Sequence, residues 1–250
     1  MLKTVKRSIK DMARHVGLDV RKLDLLAFEH YRLQLLLSAY QIDLVLDIGA
    51  NTGQWASELR REGFAGDMIS FEPLGDAYRQ LIKNAENDPR WTVAPRMALG
   101  ERSAEVEINV AGNSFSSSLL PMLPAHVAGA PKSAFVGTER TPMKTLDSLI
   151  GDVIPSERSR IFCKLDVQGF EGKVLAGATN LMKRIIGIQM EMSLAQLYEG
   201  QLSFGELLNT MTCSGFEVFG FVPGFVDPAS GRMLQVDGLF FRKDDGRLPA

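Results

Sequence analysis

A short apolar segment that ends in an acid and two glycines constrains this chain more than any other feature. Residues 44–53 read LVLDIGANTG, with the acid at Asp47 and the glycines at Gly49 and Gly53. The apolar residues predict a buried β-strand, and the glycines predict a turn into a helix. In open α/β sheets, ligands bind at the carboxyl end of such a strand, where glycines admit close approach and helix N–H groups are free. The segment therefore predicts a nucleotide-like ligand site.

Short apolar runs alternate with helical stretches from residue 43 onwards, which is typical of βα units and a parallel sheet. Strands are predicted at 43–48, 68–71, 91–100, 105–110, 161–166, 185–191, 217–221 and 238–242. Helices are predicted at 53–62, 73–84, 169–182 and 203–214, and two more over 3–37 with a break at 17–19. We therefore expect a helical extension over 1–40 and one α/β domain over 41–245.

Bulk properties exclude several classes of function. The net charge of −2 argues against a protein that coats nucleic acid, and no apolar run of about 18 residues predicts a membrane span. The two cysteines, Cys163 and Cys213, lack metal-ligand spacing and are expected to be buried in a reducing compartment, so we expect a cytoplasmic protein. The first 40 residues carry eight Lys or Arg against four Asp or Glu. A solvated helix face explains this excess most simply, and contact with a membrane surface is the alternative.

Residues 111–137 interrupt the alternation with a segment rich in Gly, Ser and Pro. A loop of this length in a compact domain is usually functional or disordered. Phe115, Leu119 and Met122 make it too apolar for a free linker, so we expect a lid or a wall of a substrate site.

Acidic residues end four of the predicted strands: Asp47, Glu72, Asp166 and Glu191. The carboxyl ends of parallel strands share one edge of a sheet, so these acids would surround one crevice, although each could instead cap the following helix. Glu72 follows Gly49 by 23 positions. That separation is close to the spacing of about 20 at which an acid accepts hydrogen bonds from ribose hydroxyls in dinucleotide folds.

The glycine turn favours one class of ligand over others. Residues 49–53 form GxxxG rather than the GxGxxG fingerprint for a pyrophosphate, and the chain has no GxxxxGK[ST] phosphate loop. A ligand without phosphates, with an amino-acid end and a cationic sulfonium, suits an acid-rimmed turn better.

Four segments of the chain form a recognisable set: LDIGANTG at 46–53, SFEP at 70–73, LDSL at 146–149 and KLDVQGFE at 164–171. Together they resemble the FkbM family of S-adenosylmethionine-dependent methyltransferases. Their order and spacing match from about residue 42 to residue 242, and Gln168 departs from the Glu that many members carry. The resemblance implies a class I methyltransferase (Rossmann-like) α/β fold: a mostly parallel sheet with an antiparallel last strand, here preceded by N-terminal helices. It also implies methyl transfer, usually to an oxygen, with acceptors that are commonly hydroxyls of sugars, glycolipids or polyketide-like metabolites.

The resemblance also implies which residues hold the cofactor. By position, the methionine part is expected near Asp47, Gly49, Asn51 and Gly53. Glu72 is expected at the ribose, and the segment around Ala98 near the adenine. No metal ligand is predicted, although Asp166 and Glu191 together could bind a divalent cation.

Three residues are candidates for the chemical step. Asp166 leads as a base or as the group that positions the acceptor, since an aspartate is a weak base unless it is desolvated. Lys164 should face the same side of its strand and keep Asp166 ionised, with a simple strand-end ion pair as the alternative. His126 has the side chain best suited to proton transfer at neutral pH, with an exposed loop histidine as the alternative.

The sequence thus predicts a cytoplasmic O-methyltransferase that uses S-adenosylmethionine on a small-molecule, glycan or glycolipid acceptor. No nucleic-acid partner or transmembrane segment is expected, and the N-terminal helices are a candidate homodimer surface. Two alternatives stay open at this point. A nicotinamide-dependent oxidoreductase is disfavoured by the missing GxGxxG and Tyr-x-x-x-Lys patterns, and an inactive methyltransferase-fold binding subunit is disfavoured by the intact glycine turn and Glu72.

Overall fold

The computed structural model describes residues 12, 13, 15, 17, 29–156 and 160–243, and these form a layered α/β fold. The helices are α1 Glu29–Ala39, α2 Gln54–Arg61, α3 Gly75–Ala85, α4 Pro124–Gly129, α5 Glu171–Ala176 and α6 Phe204–Cys213. The strands are β1 Leu44–Ile48, β2 Asp67–Phe71, β3 Trp91–Val93, β4 Ala98–Leu99, β5 Ala104–Ala111, β6 Phe135–Lys144, β7 Ile161–Leu165, β8 Ile185–Ser193, β9 Phe216–Pro223 and β10 Gln235–Arg242.

The main sheet has seven strands in the order β3-β2-β1-β7-β8-β10-β9. Strands β3, β2, β1, β7 and β8 pair in parallel, whereas β10 runs antiparallel to both β8 and β9. This topology confirms the predicted fold class. The strand order reverses between β1 and β7, and the carboxyl ends at such a switch point are where open α/β sheets bind ligands.

Two apolar layers cover the sheet. Successive side chains of each strand point to opposite faces, so each strand contributes to both layers. On β1, Val45 joins the layer beneath α1 and α2, whereas Leu46 joins the layer that contains α5 and α6. All five residues of β1 are buried, as expected for a central strand covered on both faces.

Helix α1 packs on the same sheet face as α2. Leu33 and Leu37 are buried there, and the ring of Tyr40 stacks on Phe241 with centroids 4.4 Å apart. Most of the N-terminal helices predicted over 3–37 lie outside the described residues. The predicted domain boundary after residue 40 therefore stays a prediction.

A second, three-stranded sheet in the order β4-β6-β5 corrects two expectations about the middle of the chain. The predicted third strand does not continue to residue 100: β3 belongs to the main sheet, whereas β4 pairs with β6. Strand β6 was not expected, because its polar, largely exposed residues lack an apolar alternation. It pairs along most of β5 and so anchors the segment between these strands.

The expectation that 111–137 is one irregular loop is wrong for its second half. Residues 124–129 form α4, residues 131–133 form a 3₁₀ turn, and β6 begins at Phe135. Proline at the first position of both turns suits a helix start, because its missing N–H needs no partner there. Only the first half, around 112–123, stays irregular.

The helix predicted over 169–182 is shorter than expected. Helix α5 ends at Ala176, and the next residue, Gly177, packs so closely on Gly100 that a side chain there would overlap the Gly100 carbonyl oxygen. A separate 3₁₀ turn then starts at Leu181, where the Asp147 carboxylate accepts hydrogen bonds from the N–H groups of Asn180 and Leu181 at 2.8–3.1 Å.

Both cysteines are free, but only Cys163 is buried as predicted. Cys213 is exposed at the end of α6, which corrects the expectation for that residue. Within the described ranges no helix is long and apolar enough to cross a membrane.

Arg60, near the end of α2, binds the loop that connects α2 to β2 and the residues just before β3. Its Nε lies 2.6 Å from Asp88, and its guanidinium also donates to the carbonyl oxygens of Phe64, Gly66 and Arg90 at 2.6–3.0 Å. We expect Arg60→Ala to lower the free energy of unfolding by about 2–3 kcal/mol, because it leaves several acceptors without a donor.

The adjacent Arg61 is a matched control for this substitution. Its side chain is 70% exposed and, among the described residues, pairs only with Glu58, so Arg61→Ala should cost less than about 1 kcal/mol. Urea unfolding of both variants measures the difference, and equal losses would contradict the role assigned to Arg60.

Candidate active site

A cleft of about 680 Å³, including its solvent-open mouth, lies at the carboxyl ends of β1, β2 and β7. Of the residues predicted to form the site, Gly49, Asn51, Glu72, Ala98 and Asp166 line this cleft. Asp47, Gly53, Lys164 and His126 do not line it. The switch point of the sheet and most of the predicted cofactor residues therefore coincide.

The turn at Gly49 brings the ends of three strands together. Gly49 has a φ of +79°, and a side chain there would overlap the carbonyl oxygen of Asp166. The N–H groups of Gly49 and Ala50 both donate to the carbonyl oxygen of Phe71, at 3.1 and 3.0 Å. The residue must be glycine, because both the left-handed backbone and the contact with β7 exclude a Cβ atom.

Glu72 is a buried carboxylate with fixed geometry. Its Oε2 accepts from the N–H of Asn51 and its Oε1 from the N–H of Leu74, both at 2.8 Å. Burial raises the pKa of Glu72 to about 7, and the two backbone hydrogen bonds offset part of that effect. Because each carboxylate oxygen has two acceptor sites, Glu72 can still accept hydrogen bonds from a diol in the cleft.

Asn51 joins the glycine turn to the opposite wall of the cleft. It adopts a left-handed backbone with φ of 49°, and its Oδ1 accepts from the N–H of Thr52 at 2.9 Å. Its Nδ2 donates to Ser114 Oγ at 3.2 Å. The first half of the predicted lid, including Phe115 and Ser118, thus forms a wall of the cleft.

Asp47 and Gly53 support the turn from outside the cleft. A Cβ at Gly53 would lie 2.8 Å from atoms of Leu81 and Trp91. Glycine at this position therefore lets these two side chains pack against the start of α2. Asp47 is fully buried; its Oδ2 accepts from Ser70 at 3.2 Å, and its Oδ1 has no hydrogen-bond partner among the described residues. Burial raises the pKa of Asp47, and Lys164 opposes that rise. Contact of either residue with the cofactor stays a prediction.

The far end of the cleft is apolar. Met97, Ala98 and Leu99 line it together with Ile108 and Phe170. Such a surface suits a flat heteroaromatic ring rather than a charged group, which agrees with the expectation for Ala98.

Asp166 lines the cleft beside the glycine turn, and both of its oxygens accept a hydrogen bond. Lys164 Nζ donates to Oδ2 at 3.1 Å, and Gln168 Nε2 donates to Oδ1 at 2.9 Å. Burial lowers the pKa of Lys164, but the carboxylates of Asp166 and Asp47 together raise it above its usual value. The predicted pairing of Lys164 with Asp166 is therefore present, and Lys164 contacts the cleft only through that carboxylate.

Gln168 separates two carboxylates that would otherwise repel each other. Its Nε2 also donates to Glu191 Oε2 at 2.8 Å, so one amide nitrogen bridges Asp166 and Glu191. Its Oε1 accepts from the hydroxyl of Tyr198 at 2.8 Å, which sets the direction of the amide. Burial raises the pKa of Glu191 well above its usual value, with Asp166 and Glu171 adding to the rise. A Glu at position 168 would add a third carboxylate to this cluster.

His126 is buried rather than exposed, and it reaches Asp166 only through other residues. Its Nε2 lies 3.2 Å from the hydroxyl of Tyr198, and its Nδ1 lies 2.8 Å from Ser133 Oγ. Burial lowers the pKa of His126, which favours the neutral imidazole. The predicted role of His126 in proton transfer therefore stays a prediction. His126 does not line the cleft.

Sequence reasoning missed Tyr198 and the role of Glu171. Tyr198 is fully buried in an irregular segment without periodicity. Its hydroxyl oxygen also lies 3.0 Å from the carbonyl oxygen of Ser116, which shares the one hydroxyl hydrogen with Gln168 Oε1. Glu171 Oε1 accepts from the N–H groups of Val167 and Gly169 at 3.1 and 3.3 Å, which holds the turn after β7. The motif KLDVQGFE contained the signal for Glu171, whereas no local signal marked Tyr198.

Comparison with known proteins places the chain in a class and then in a family. The "putative O-methyltransferase" structure from Klebsiella pneumoniae is 11% identical, with a TM-score of 0.50 over 94% of this chain and 88% of that one. The fold is therefore that of the class I methyltransferases. The sequence model of the methyltransferase FkbM domain matches residues 47–221, so the chain belongs to the FkbM methyltransferase family.

Two other structures are similar at lower overlap. A methyltransferase FkbM from Methylobacillus flagellatus KT is 13% identical, with a TM-score of 0.47, and the match covers 79% of this chain but only 43% of that one. The plantazolicin methyltransferase BamL, in complex with a triazolic desmethylPZN analog and SAH, is 11% identical with a TM-score of 0.47. The match covers 86% of this chain and 85% of that one. The sequence matches no curated protein.

Family membership confirms S-adenosylmethionine as the cofactor, and the cleft fits it chemically. The carboxylate of Glu72 suits ribose hydroxyls, and the apolar wall around Leu99 suits adenine. Gly49 keeps the end of β1 against the backbone of Asp166 at the edge of the cleft, and the Asp166 carboxylate provides negative charge there for a sulfonium.

The raised pKa of Glu72 predicts a pH dependence of cofactor binding. Ribose hydroxyls donate to the carboxylate, which is the dominant form above a pKa of about 7. We expect the affinity for S-adenosylhomocysteine to fall about tenfold from about pH 8 to about pH 6. Isothermal titration calorimetry measures the change, and in Glu72→Gln the affinity should be weaker and independent of pH over this range. A pH-independent affinity in the unsubstituted protein would contradict the assignment.

Removal of the Tyr198 hydroxyl alone should destabilise the fold. Tyr198→Phe should lower the free energy of unfolding by about 1–3 kcal/mol, because the buried acceptors on Gln168 and Ser116 lose the one hydroxyl hydrogen that they share. Tyr78→Phe is the matched control: Tyr78 is half-buried, and its hydroxyl makes no hydrogen bond within the described residues. Denaturant unfolding of both variants gives the comparison, and an effect at Tyr198 no larger than at Tyr78 would refute the network.

Proposed function

We propose that the protein transfers a methyl group from S-adenosylmethionine to a hydroxyl oxygen of a sugar, glycolipid or related metabolite. The observation that carries this proposal is the carboxylate of Asp166, which lines the cleft with each oxygen fixed by one donor. A carboxylate in this position accepts a hydrogen bond from a hydroxyl and orients its oxygen.

S-adenosylmethionine supplies a methyl group that is already activated by a positive sulfur. The protein must align the acceptor oxygen with the bond that breaks and take up the proton that the hydroxyl loses. Asp166 does both in this proposal: it orients the hydroxyl before transfer and receives the proton as the new C–O bond forms.

The remaining predicted catalytic residues act on Asp166 rather than on the acceptor. Lys164 holds Oδ2, and Gln168 holds Oδ1. His126 supports this arrangement through Tyr198, which orients the Gln168 amide. We therefore assign Lys164 and His126 positioning roles.

The polar part of the cleft supports a hydroxylated acceptor. Ser114, Ser117 and Ser118 line the wall that faces the glycine turn. Hydroxyl side chains both donate and accept, which suits the alternating needs of sugar hydroxyls.

Location and partners belong to the same proposal. Two free thiols, one of them exposed, support a reducing compartment such as the cytoplasm. The basic N-terminal segment supports contact with a membrane surface or a homodimer through the N-terminal helices, and no nucleic-acid partner is proposed.

Calorimetric titration with S-adenosylhomocysteine and with NAD, followed by an activity assay, tests the proposal. S-adenosylhomocysteine should bind and NAD should not. Asp166→Asn should reduce methyl transfer at least a hundredfold, a loss of the size seen for general bases, about 10²–10⁴-fold. Its affinity for S-adenosylhomocysteine, which lacks the positive sulfur, should be nearly unchanged. Binding of NAD alone would overturn the proposal, and full activity of Asp166→Asn would remove Asp166 from the chemical step. Glu72→Ala is the control that should lose cofactor binding instead.

A further inference from the structure

A second cavity, of about 620 Å³ including its solvent-open mouth, lies on the α1 and α2 side of the sheet and shares no described lining residue with the cleft. Its polar lining residues are Arg32, Trp55, Gln189 and Asp237, and Leu33 and Leu239 contribute apolar surface. The proposed function uses none of these residues.

Arg32 is the residue of this cavity that most needs a partner. Its Nε is buried without a hydrogen-bond acceptor, and no ion pair forms between Arg32 and any other described residue. The guanidinium lies against Gly220, where a Cβ atom would be 3.0–3.2 Å from its atoms. A guanidinium offers several N–H donors in one plane, which suits a carboxylate or a phosphate.

The other polar residues of the second cavity suit a ligand that has hydroxyl groups on a ring. Gln189 Nε2 donates to Asp237 Oδ2 at 2.7 Å, so an amide and a carboxylate lie side by side. Trp55 adds an indole wall and is itself held by the nearly parallel ring of Phe162, 6.5 Å away between centroids. Aromatic rings and paired polar side chains together bind hydroxylated rings, because such ligands present both C–H and O–H surfaces.

Lys164 lies between this cavity and the cleft. Its Nζ lies 3.1 Å from Asp166, which lines the cleft, and 5.9 Å from the ring centroid of Trp55, which lines the second cavity. The Asp166 carboxylate and the Trp55 ring thus lie on either side of one lysine head group. Lys164 is paired with Asp166, whereas Arg32 lines the second cavity without an ion pair to any described residue, Asp237 included.

We propose that the second cavity binds the body of the methyl acceptor, and that this acceptor is a hydroxylated ring with an anionic group. The anionic group pairs with Arg32, the ring lies along Trp55, and the reacting hydroxyl extends past Lys164 to Asp166. This inference rests on the proposed function and names the substrate class for it.

Ligand-observed NMR titration of the full chain, saturated with S-adenosylhomocysteine, tests the proposal with three probes. Glucuronate carries a carboxylate, glucose 6-phosphate carries a phosphate, and glucose is neutral. We expect at least one anionic sugar to bind about tenfold more tightly than glucose, because a charge-assisted hydrogen bond contributes about that factor. Preference for glucuronate or for glucose 6-phosphate identifies which anion the acceptor carries.

Three variants show whether Arg32 causes that preference. Arg32→Gln should remove it, and Gly220→Ala should weaken it by displacing the guanidinium while keeping its charge. Arg140→Gln is the control: its side chain is 86% exposed and lines neither cavity, so the preference should persist.

The outcomes separate this inference from the proposed function. Equal binding of all three sugars, no binding of either anionic sugar, or an unchanged preference in Arg32→Gln overturns the inference. Failure of S-adenosylhomocysteine to bind overturns the proposed function. If an anionic sugar still binds to that protein and depends on Arg32, the second cavity is a binding site even though the proposed function is wrong.

Discussion

The close approach of Gly49 to the backbone of Asp166 is the contact on which the rest of the site depends. It leaves no room for a side chain, so the end of β1 lies directly against the end of β7. Hydrogen bonds from Gly49 and Ala50 to Phe71 bring the end of β2 to the same place. The cleft exists because three strand ends converge on one glycine, and Glu72 and Asp166 enter it from the two neighbouring strands.

Convergence of these strand ends also concentrates negative charge, which the structure compensates locally. Lys164 lies among Asp47, Asp166 and Asp237, and these carboxylates raise its pKa although burial opposes them. Gln168 places a neutral donor between Asp166 and Glu191, and Tyr198 keeps that amide in the required direction. Buried polar groups are costly unless they are satisfied, so this network holds the Asp166 carboxylate in one orientation.

Particular elements show why some predictions succeeded and others failed. Strand β1 is apolar except for Asp47 and β7 is apolar except for Lys164, so local pattern sufficed for them. Strand β6 is polar and half-exposed, and it is stabilised by pairing with β5 rather than by a pattern of its own. Helix α5 is followed by Gly177, which packs on Gly100, and by a new turn that Asp147 holds, contacts that no local window contains. Tyr198 became part of the site only because its segment folds back against residues 116 and 168.

The sequence by itself determined the class of fold and the family, and it predicted where the methyl donor binds, because motifs at strand ends report backbone geometry directly. A glycine that must have a positive φ and an acid at the end of the next strand are local requirements. The tertiary structure alone decided that Lys164 and His126 lie behind Asp166 rather than in the cleft, and that Arg32 faces a second cavity beside Trp55. Those relations arise from packing between elements far apart in the chain, and side-chain contacts of that kind leave no periodic trace in sequence.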